Sequence, residues 1–372
     1  MTLCDILVIG GGIAGIGAGA MASEDASVIV LETEGAFGYH ATGRSAANFA
    51  PNYGNATLRA LNAASIGVMQ DPGDLADTPL LSPRGELQIA TPAQAPILEA
   101  YARGAAWLER LTPREARALV PILREDRIAA ATYDPATSDI DVHALLQGYA
   151  RKLRRNGGRI ELAAPARAIT HDGTLWLVET PQGRFRAPTL VNAAGAWADE
   201  VAHLAGIAPA GLQPKRRSAV ILPAPQGHDP SRWPLFIDAG ETFYAKPESG
   251  KLMVSPADED PVEPYDAWPD DMVIAEGLER YAQAVTVPVG SVERRWAGLR
   301  TFAPDRCPVV GFAADPRRFL WLAGQGGYGV QTAPALSRHA ADLCAGRASA
   351  LNARVVASMA PGRFAAPTGS RE

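Results

Sequence analysis

The chain has 372 residues, 47% of them hydrophobic and 20% charged, which is long for one ordinary domain and too apolar for disorder. Its formal net charge of −5 gives no general attraction to nucleic acid or to anionic lipid. Three scattered cysteines (Cys4, Cys307, Cys344) form neither a disulfide framework nor a C-x-x-C metal pair, and the six histidines lack H-E-x-x-H spacing, so we expect no metal and a reducing, cytoplasmic compartment.

Ile6–Ile9 reads as a buried parallel strand, 13–21 as a helix of small residues and 27–31 as a second buried strand ending at Glu32. No basic segment precedes the apolar run 6–21, and six glycines break it; neither a signal peptide nor a membrane span is expected there. An amphipathic helix follows at 58–69, a strand at Glu86–Ala90, and a longer helix at 97–111 carrying Leu98, Tyr101, Trp107 and Leu108. Thr112, Pro113 and Glu115 make a capping box that starts a new helix. Asp141 caps a helix reaching about Arg155, which Gly157 and Gly158 stop. Strands are expected at 159–162, 175–179 and 185–192. The stretch 216–257 is strand-rich, 272–284 is helical, and Phe319–Ala323 is a strand. A glycine-rich loop then leads into a helix over 330–344.

The layout implies an α/β protein with a discontinuous Rossmann-type nucleotide-binding domain, assembled from 1–83, 142–211 and 299–351. A second, largely antiparallel α+β substrate domain comes from 84–141 and 212–298, and 352–372 reads as a loose tail.

Gly10-Gly11-Gly12-Ile13-Ala14-Gly15 matches G-x-G-x-x-G. Gly10 permits the tight turn, Gly12 lets backbone approach a pyrophosphate, and Gly15 lets helix pack on sheet. The helix start presents free N–H groups to phosphates. Glu32 ends the second strand where an acid holds ribose hydroxyls. That acid argues against a 2′-phosphate and leaves NAD and FAD both open.

Three further stretches bear on the cofactor: 38–47 (GYHATGRSAA), 191–197 (VNAAGAW) and 324–329 (GQGGYG). Together with the glycine motif they resemble the D-amino-acid oxidase superfamily of flavoenzymes, from about residue 3 to about residue 345. Within it, 38–47, 79–84, 212–218, 296–300 and 325–332 are most similar to the pattern of FAD-dependent D-arginine dehydrogenases. The resemblance implies FAD, contacted by His40, Thr42, Gly43, Arg44, Ser45 and Ala46, by Ala194, Gly195 and Trp197, by Arg300, and by Gly326, Gly327, Tyr328, Gly329, Val330 and Gln331. Physically, the 324–329 loop would aim N–H groups and a helix start at a ring that becomes negative on reduction. Members that hold flavin covalently often use a cysteine near Arg300. Residues 296–306 contain none, so FAD is expected to be non-covalent.

The same resemblance implies an amino-acid substrate. Arg217 and Arg300 would clamp its carboxylate, because a guanidinium meets a carboxylate through two hydrogen bonds. Tyr53 and Tyr244 would donate hydroxyls nearby, and Glu86 would pair with a cationic side chain. Asn48 and Ala50 stand where the resembled pattern has histidine and threonine, so the side-chain preference can differ. The expected reaction is hydride transfer from Cα to flavin N5, giving an imine that hydrolyses to a 2-oxo acid and ammonia, with a quinone-like compound or oxygen as electron acceptor. The alternatives are a glycine/sarcosine-type amine oxidase, a 2-hydroxy acid dehydrogenase, and a non-catalytic flavin-binding or tRNA-modification module. No nucleic-acid partner and no integral membrane segment are expected.

Overall fold

The computed structural model describes residues 1–364. A six-stranded sheet runs in the order Arg159–Glu161, Val28–Leu31, Ile6–Ile9, Thr189–Asn192, Phe319–Ala323, Val309–Phe312. All of its pairings are parallel except the last, which is antiparallel. The strands are apolar on both faces because both faces are covered. Ile6, Val8, Val28 and Val30 meet the core under helices Ile13–Ala22, Val142–Arg155 and Ala333–Cys344. Leu7, Ile9, Ile29 and Leu31 meet a second core containing Trp176, Phe185 and Val201. Helix Ile13–Ala22 sits low because its residues are small: a Cβ on Gly17 would lie 2.2 Å from Ser337 Oγ.

The second large sheet has eight strands, in the order Arg294–Phe302, Gln213–Leu222, Lys251–Ser255, Tyr244–Glu248, Leu235–Asp238, Glu86–Ala90, Ala130–Asp134, Glu109–Leu111. Only the Leu235–Asp238 and Glu86–Ala90 pairing is parallel. Helix Asp271–Ala284 and Val120–Leu123 cover its apolar face, packing on Leu87, Phe236 and Val254. Strand Arg294–Phe302 continues without a break through the boundary expected at 298/299. Short strands Asn48–Phe49, Ser138–Ile140 and Leu81–Pro83 form a separate three-stranded sheet.

Several expected elements differ. The helix expected over 97–111 spans only Ala95–Gly104, and Glu109–Leu111 is a strand. Between them Trp107 has φ +63° and is 88% exposed, so it belongs to no helix face. The strand expected over 185–192 is two strands in different sheets, Gly183–Ala187 and Thr189–Asn192. Pro188 lies between them and has no N–H to continue either ladder. The expected loose tail is ordered through residue 364. Helix Ala353–Met359 buries Met359 completely, and Arg363 pairs with Asp305 at 2.8 Å. Residues 365–372 of that tail lie outside the described residues. The capping box at Thr112 and Glu115 forms as expected, and so does the Asp141 cap. Among the described residues no helix is long and apolar enough to cross a membrane.

Candidate active site

The strand–turn–helix at the start of the chain forms one end of the site. Gly10 has φ +109°, and a Cβ there would lie 2.3 Å from the Ala193 carbonyl oxygen. A Cβ on Gly15 would lie 1.9 Å from the Gly10 oxygen, so the turn closes only with glycine at both positions. A Cβ on Gly12 would meet only Thr42 Oγ1, at 3.4 Å, which leaves the backbone open to a ligand. Thr42 Oγ1 accepts the Ile13 N–H at 3.0 Å and so caps the helix that Gly12 precedes. Glu32 is 8% exposed, and its carboxylate accepts the N–H groups of Gly11 at 2.7 Å and Glu34 at 2.8 Å. Burial raises its pKa against those two bonds. Gly10, Gly11, Gly12, Ile13, Glu32, Glu34 and Thr42, with Pro165, Ala166, Ala194, Gly195 and Trp197, line a cavity of about 440 Å³ that ends on Gly326 and Gly329. A bare glycine backbone, a helix start and a buried carboxylate fit the diphosphate and ribose of a dinucleotide.

Other residues expected at the cofactor serve this wall in different ways. His40 Nε2 lies 2.9 Å from Glu34 Oε1, and its ring packs on Trp197 with centroids 4.6 Å apart. Arg44 is committed to protein: it donates to the carbonyls of Ala267 and Ala297 at 3.1 and 3.0 Å and pairs with Asp266. Gly15 and Gly43 line none of the cavities. Gly43 donates its N–H to the Gly38 carbonyl at 2.8 Å, so both glycines shape backbone and do not face the space.

A narrow cavity of about 90 Å³ adjoins the first, sharing Thr42, Arg44, Gly298 and Gly326 with it. Ser45, Ala46, Trp296, Gly327 and Val330 are among its other walls. Beyond it lies a third cavity of about 520 Å³, sharing Arg217, Tyr244, Arg300 and Gly327 with the second. Tyr53, Glu86, Tyr328 and Gln331 also line it. All five residues expected at the substrate therefore surround one space, although they come from separate strands and a loop.

Register explains the two arginines. Lys215 pairs with Arg300, and Arg217 with Gly298, across adjacent antiparallel strands, so the side chains share one sheet face. Arg217 is 8% exposed; one Nη donates to Glu259 at 3.1 Å, and its Nε has no partner among the described residues. Glu259 also takes Arg306 at 2.9 and 3.0 Å and Lys215 at 3.3 Å. Burial pushes the Glu259 pKa up, but these cations hold it at about 2. Arg300 has no carboxylate partner among the described residues, and Gly327 lies flat against it: a Cβ there would be 3.0 Å from Arg300 Cζ. Both guanidinium groups act on Tyr244, whose pKa is lowered although burial alone would raise it. Tyr53 stacks on Tyr328 at 4.8 Å, and burial raises its pKa.

The opposite end is acidic. Glu86 accepts one hydrogen bond, from Gln88 Nε2 at 2.9 Å. Burial first, with the charges of Asp134 and Glu241 added, raises its pKa to about 7. Sequence reasoning missed Glu241, Glu259 and Arg306. No motif marks them; each sits in a loop or at a turn, two of them at positive φ (Glu241 +50°, Arg306 +61°).

The sequence pattern of the family described as DAO, FAD dependent oxidoreductase, matches residues 5–343. Mitochondrial dimethylglycine dehydrogenase of Rattus norvegicus is 28% identical over 252 residues, covering 62% of this chain and 29% of that protein. The human protein of the same name matches at 27% with the same coverage, so the chain spans less than a third of the length of these relatives. Glycine oxidase from Geobacillus kaustophilus superposes with a TM-score of 0.83 at 22% identity, covering 98% of this chain and 100% of that one. L-Proline dehydrogenase from P. horikoshii gives 0.83 at 21%, covering 98% of both chains. At such identities the superpositions speak for the fold.

Proposed function

The chain belongs to the DAO family of FAD-dependent oxidoreductases, and on that premise we propose that it oxidises a small amino acid at the carbon bearing nitrogen. The observation that carries this reading is the third cavity, with two poorly partnered guanidinium groups beside the strip of glycines that also bounds the dinucleotide cavity. The cofactor is FAD, which when bound supplies an acceptor for a hydride.

The glycine turn, Glu32 and the Ala194–Trp197 region, in this reading, hold the nucleotide part, and Ser45, Ala46, Gly327 and Val330 bound the ring. Arg300 and Arg217 grip the substrate carboxylate, and Tyr53 and Tyr244 add hydroxyl donors. Fixing the carboxylate orients Cα, and orientation supplies most of the rate. Glu86 and Glu241, carboxylates of the third cavity, face the substrate side chain in this reading, so neither is assigned as a base toward the amine. The substrate amine must itself be neutral, and the rate rises as pH passes its bound pKa. Water then hydrolyses the imine to a 2-oxo acid and ammonia.

For the side chain, the reading takes a basic one, opposite Glu86 and Glu241; the D configuration is what the resemblance described above implies. A quinone-like compound is the electron acceptor in this reading, and peroxide formed as fast as substrate is lost would overturn that point. A second reading, an N-methylated glycine or glycine itself, draws support from the dimethylglycine dehydrogenase similarity. Anaerobic mixing of the purified yellow protein with D- and L-amino acids, glycine, sarcosine and dimethylglycine separates the two. Bleaching by D-arginine or D-lysine supports the first reading. Bleaching by the glycine derivatives alone replaces it with the second.

A further inference from the structure

Lys246 is 2% exposed, on strand Tyr244–Glu248. A buried ammonium is a poor stability device, since desolvation cancels much of what its partners return. Its partners indicate another use. The ammonium donates to Asp139 Oδ1 at 2.8 Å, to the Ala46 carbonyl at 2.9 Å and to Asn48 Oδ1 at 3.3 Å, with Glu248 at 3.9 Å. Asp139 is held from its other side by Arg84 at 2.7 Å. Lys246 lies two residues beyond Tyr244, so both side chains leave the same face of the strand. Tyr244 reaches the two inner cavities, and Lys246 reaches under the turn that walls them.

That turn is constrained at one peptide. Ala46 lines both the narrow cavity and the substrate cavity, and Ala47 has φ +59°, a conformation that costs a non-glycine residue free energy and persists only where its surroundings enforce it. The carbonyl of the 46–47 peptide rests on Lys246. The N–H of the same peptide is accepted by Ser45 Oγ at 3.0 Å, and the next carbonyl accepts the Ile140 N–H at 2.7 Å. The peptide plane is therefore fixed at both ends, where ring space meets substrate space. Asn48, which also lines the substrate cavity, has its side-chain oxygen taken by the same ammonium.

We infer that Lys246 is a positioning residue: through the Ala46 carbonyl and Asn48 it sets the wall against which the cofactor ring and the substrate are placed. This rests on FAD occupying the adjoining cavities, but not on which amino acid is oxidised, so the test uses no substrate. Lys246→Met keeps the length and the apolar stem and removes the ammonium, while Asp139 keeps Arg84. The quantities read are the FAD dissociation constant, the visible circular dichroism of bound FAD and the melting temperature of the apoprotein. Expected are FAD binding weaker by about tenfold, the size of one lost charge-assisted hydrogen bond, and an altered visible dichroism. Wild-type FAD affinity and dichroism would overturn the inference, whatever happens to the melting temperature, because a purely structural lysine would move only the last. If Lys246→Met yields no soluble protein, Lys246→Gln is read the same way. Its amide keeps a donor but no charge, and there too weakened binding with altered dichroism supports the role and wild-type values end it. Failure of every amino acid to bleach the wild-type flavin would sink the proposed substrate and leave this result standing.

Discussion

The glycine-turn cavity and the Arg300–Glu86 cavity adjoin, yet they are built by opposite means. The first is mostly backbone, and its charged groups are spent on protein: Glu32 on two N–H groups, Arg44 on two carbonyls and Asp266. The second is mostly side chain, and three of its charged groups are left short of partners, although Arg306 and Asp238 are satisfied. Arg300 has no carboxylate among the described residues, Arg217 Nε has no acceptor, and Glu86 has one amide. A group held rigid and left unpaired in a buried space has its strongest interaction still to make, and that is where a charged ligand gains most.

The largest effect should come from breaking the backbone side. Gly10→Val adds a side chain where φ is +109° and the first carbon already lies 2.3 Å from the Ala193 oxygen. Strain and overpacking each cost about 1–3 kcal/mol, so the variant should be purified without flavin, read from its visible absorbance per protein. Gly35→Ala, by contrast, meets nothing within 4 Å among the described residues and should stay yellow. On the side-chain side, Arg300→Met should keep its FAD and lose about a hundredfold or more in kcat/KM, the usual scale for removing one partner of a buried charged pair. A colourless Arg300→Met protein would break the comparison, since Arg300 would then be holding the cofactor. Glu259→Gln should act indirectly: it unties Arg217 and Arg306 together and should raise KM by about thirtyfold with a smaller change in kcat.

The same division decides what could be read from the sequence. The parallel strands Ile6–Ile9 and Phe319–Ala323 were legible as short apolar runs beside glycine, and the glycine turn as a contiguous motif, because backbone-built features keep their parts together in the chain. Tyr53, Glu86, Arg217, Tyr244 and Arg300 carried no such signal of their own; family resemblance pointed to them. Glu259 was illegible for a physical reason. It lies among Asp258 and Asp260, a run that reads as a solvated acidic loop, but in the fold this loop runs beside strand Gln213–Leu222 (Arg216 N–H to the Asp260 carbonyl, 2.9 Å), which brings Lys215 and Arg217 onto it, and the turn at Arg306 adds a third cation. Trp107 misleads in the other direction: as an apolar residue soon after Leu98 and Tyr101 it extends the expected helix, but the chain turns through a left-handed conformation there and leaves the ring in water.

Glu86 gives the smallest effect and the sharpest test of the acidic end. Burial, with Asp134 and Glu241 adding to it, raises its pKa to about 7 from 4.5, so the folded protein carries this carboxyl neutral below that pH and ionised above it. A cationic side chain binds the ionised form. Its dissociation constant, taken from the saturation of anaerobic flavin reduction rates, should therefore fall about tenfold between about pH 6 and pH 8 and then level. Separating binding from the reduction rate matters, because deprotonation of the substrate amine raises the rate over the same range. Stability runs the opposite way. With the folded pKa above the unfolded one, the contribution of Glu86 is fully present below about pH 4.5 and is lost as pH rises through about 7. Glu86→Gln should accordingly flatten the binding profile, weaken basic amino acids more than neutral ones, and leave the apoprotein slightly more stable than wild type above neutrality. Equal weakening of basic and neutral substrates would mean that Glu86 supports the cavity wall without reading the side chain, and the preference for a cation would then have to come from Glu241 or be abandoned.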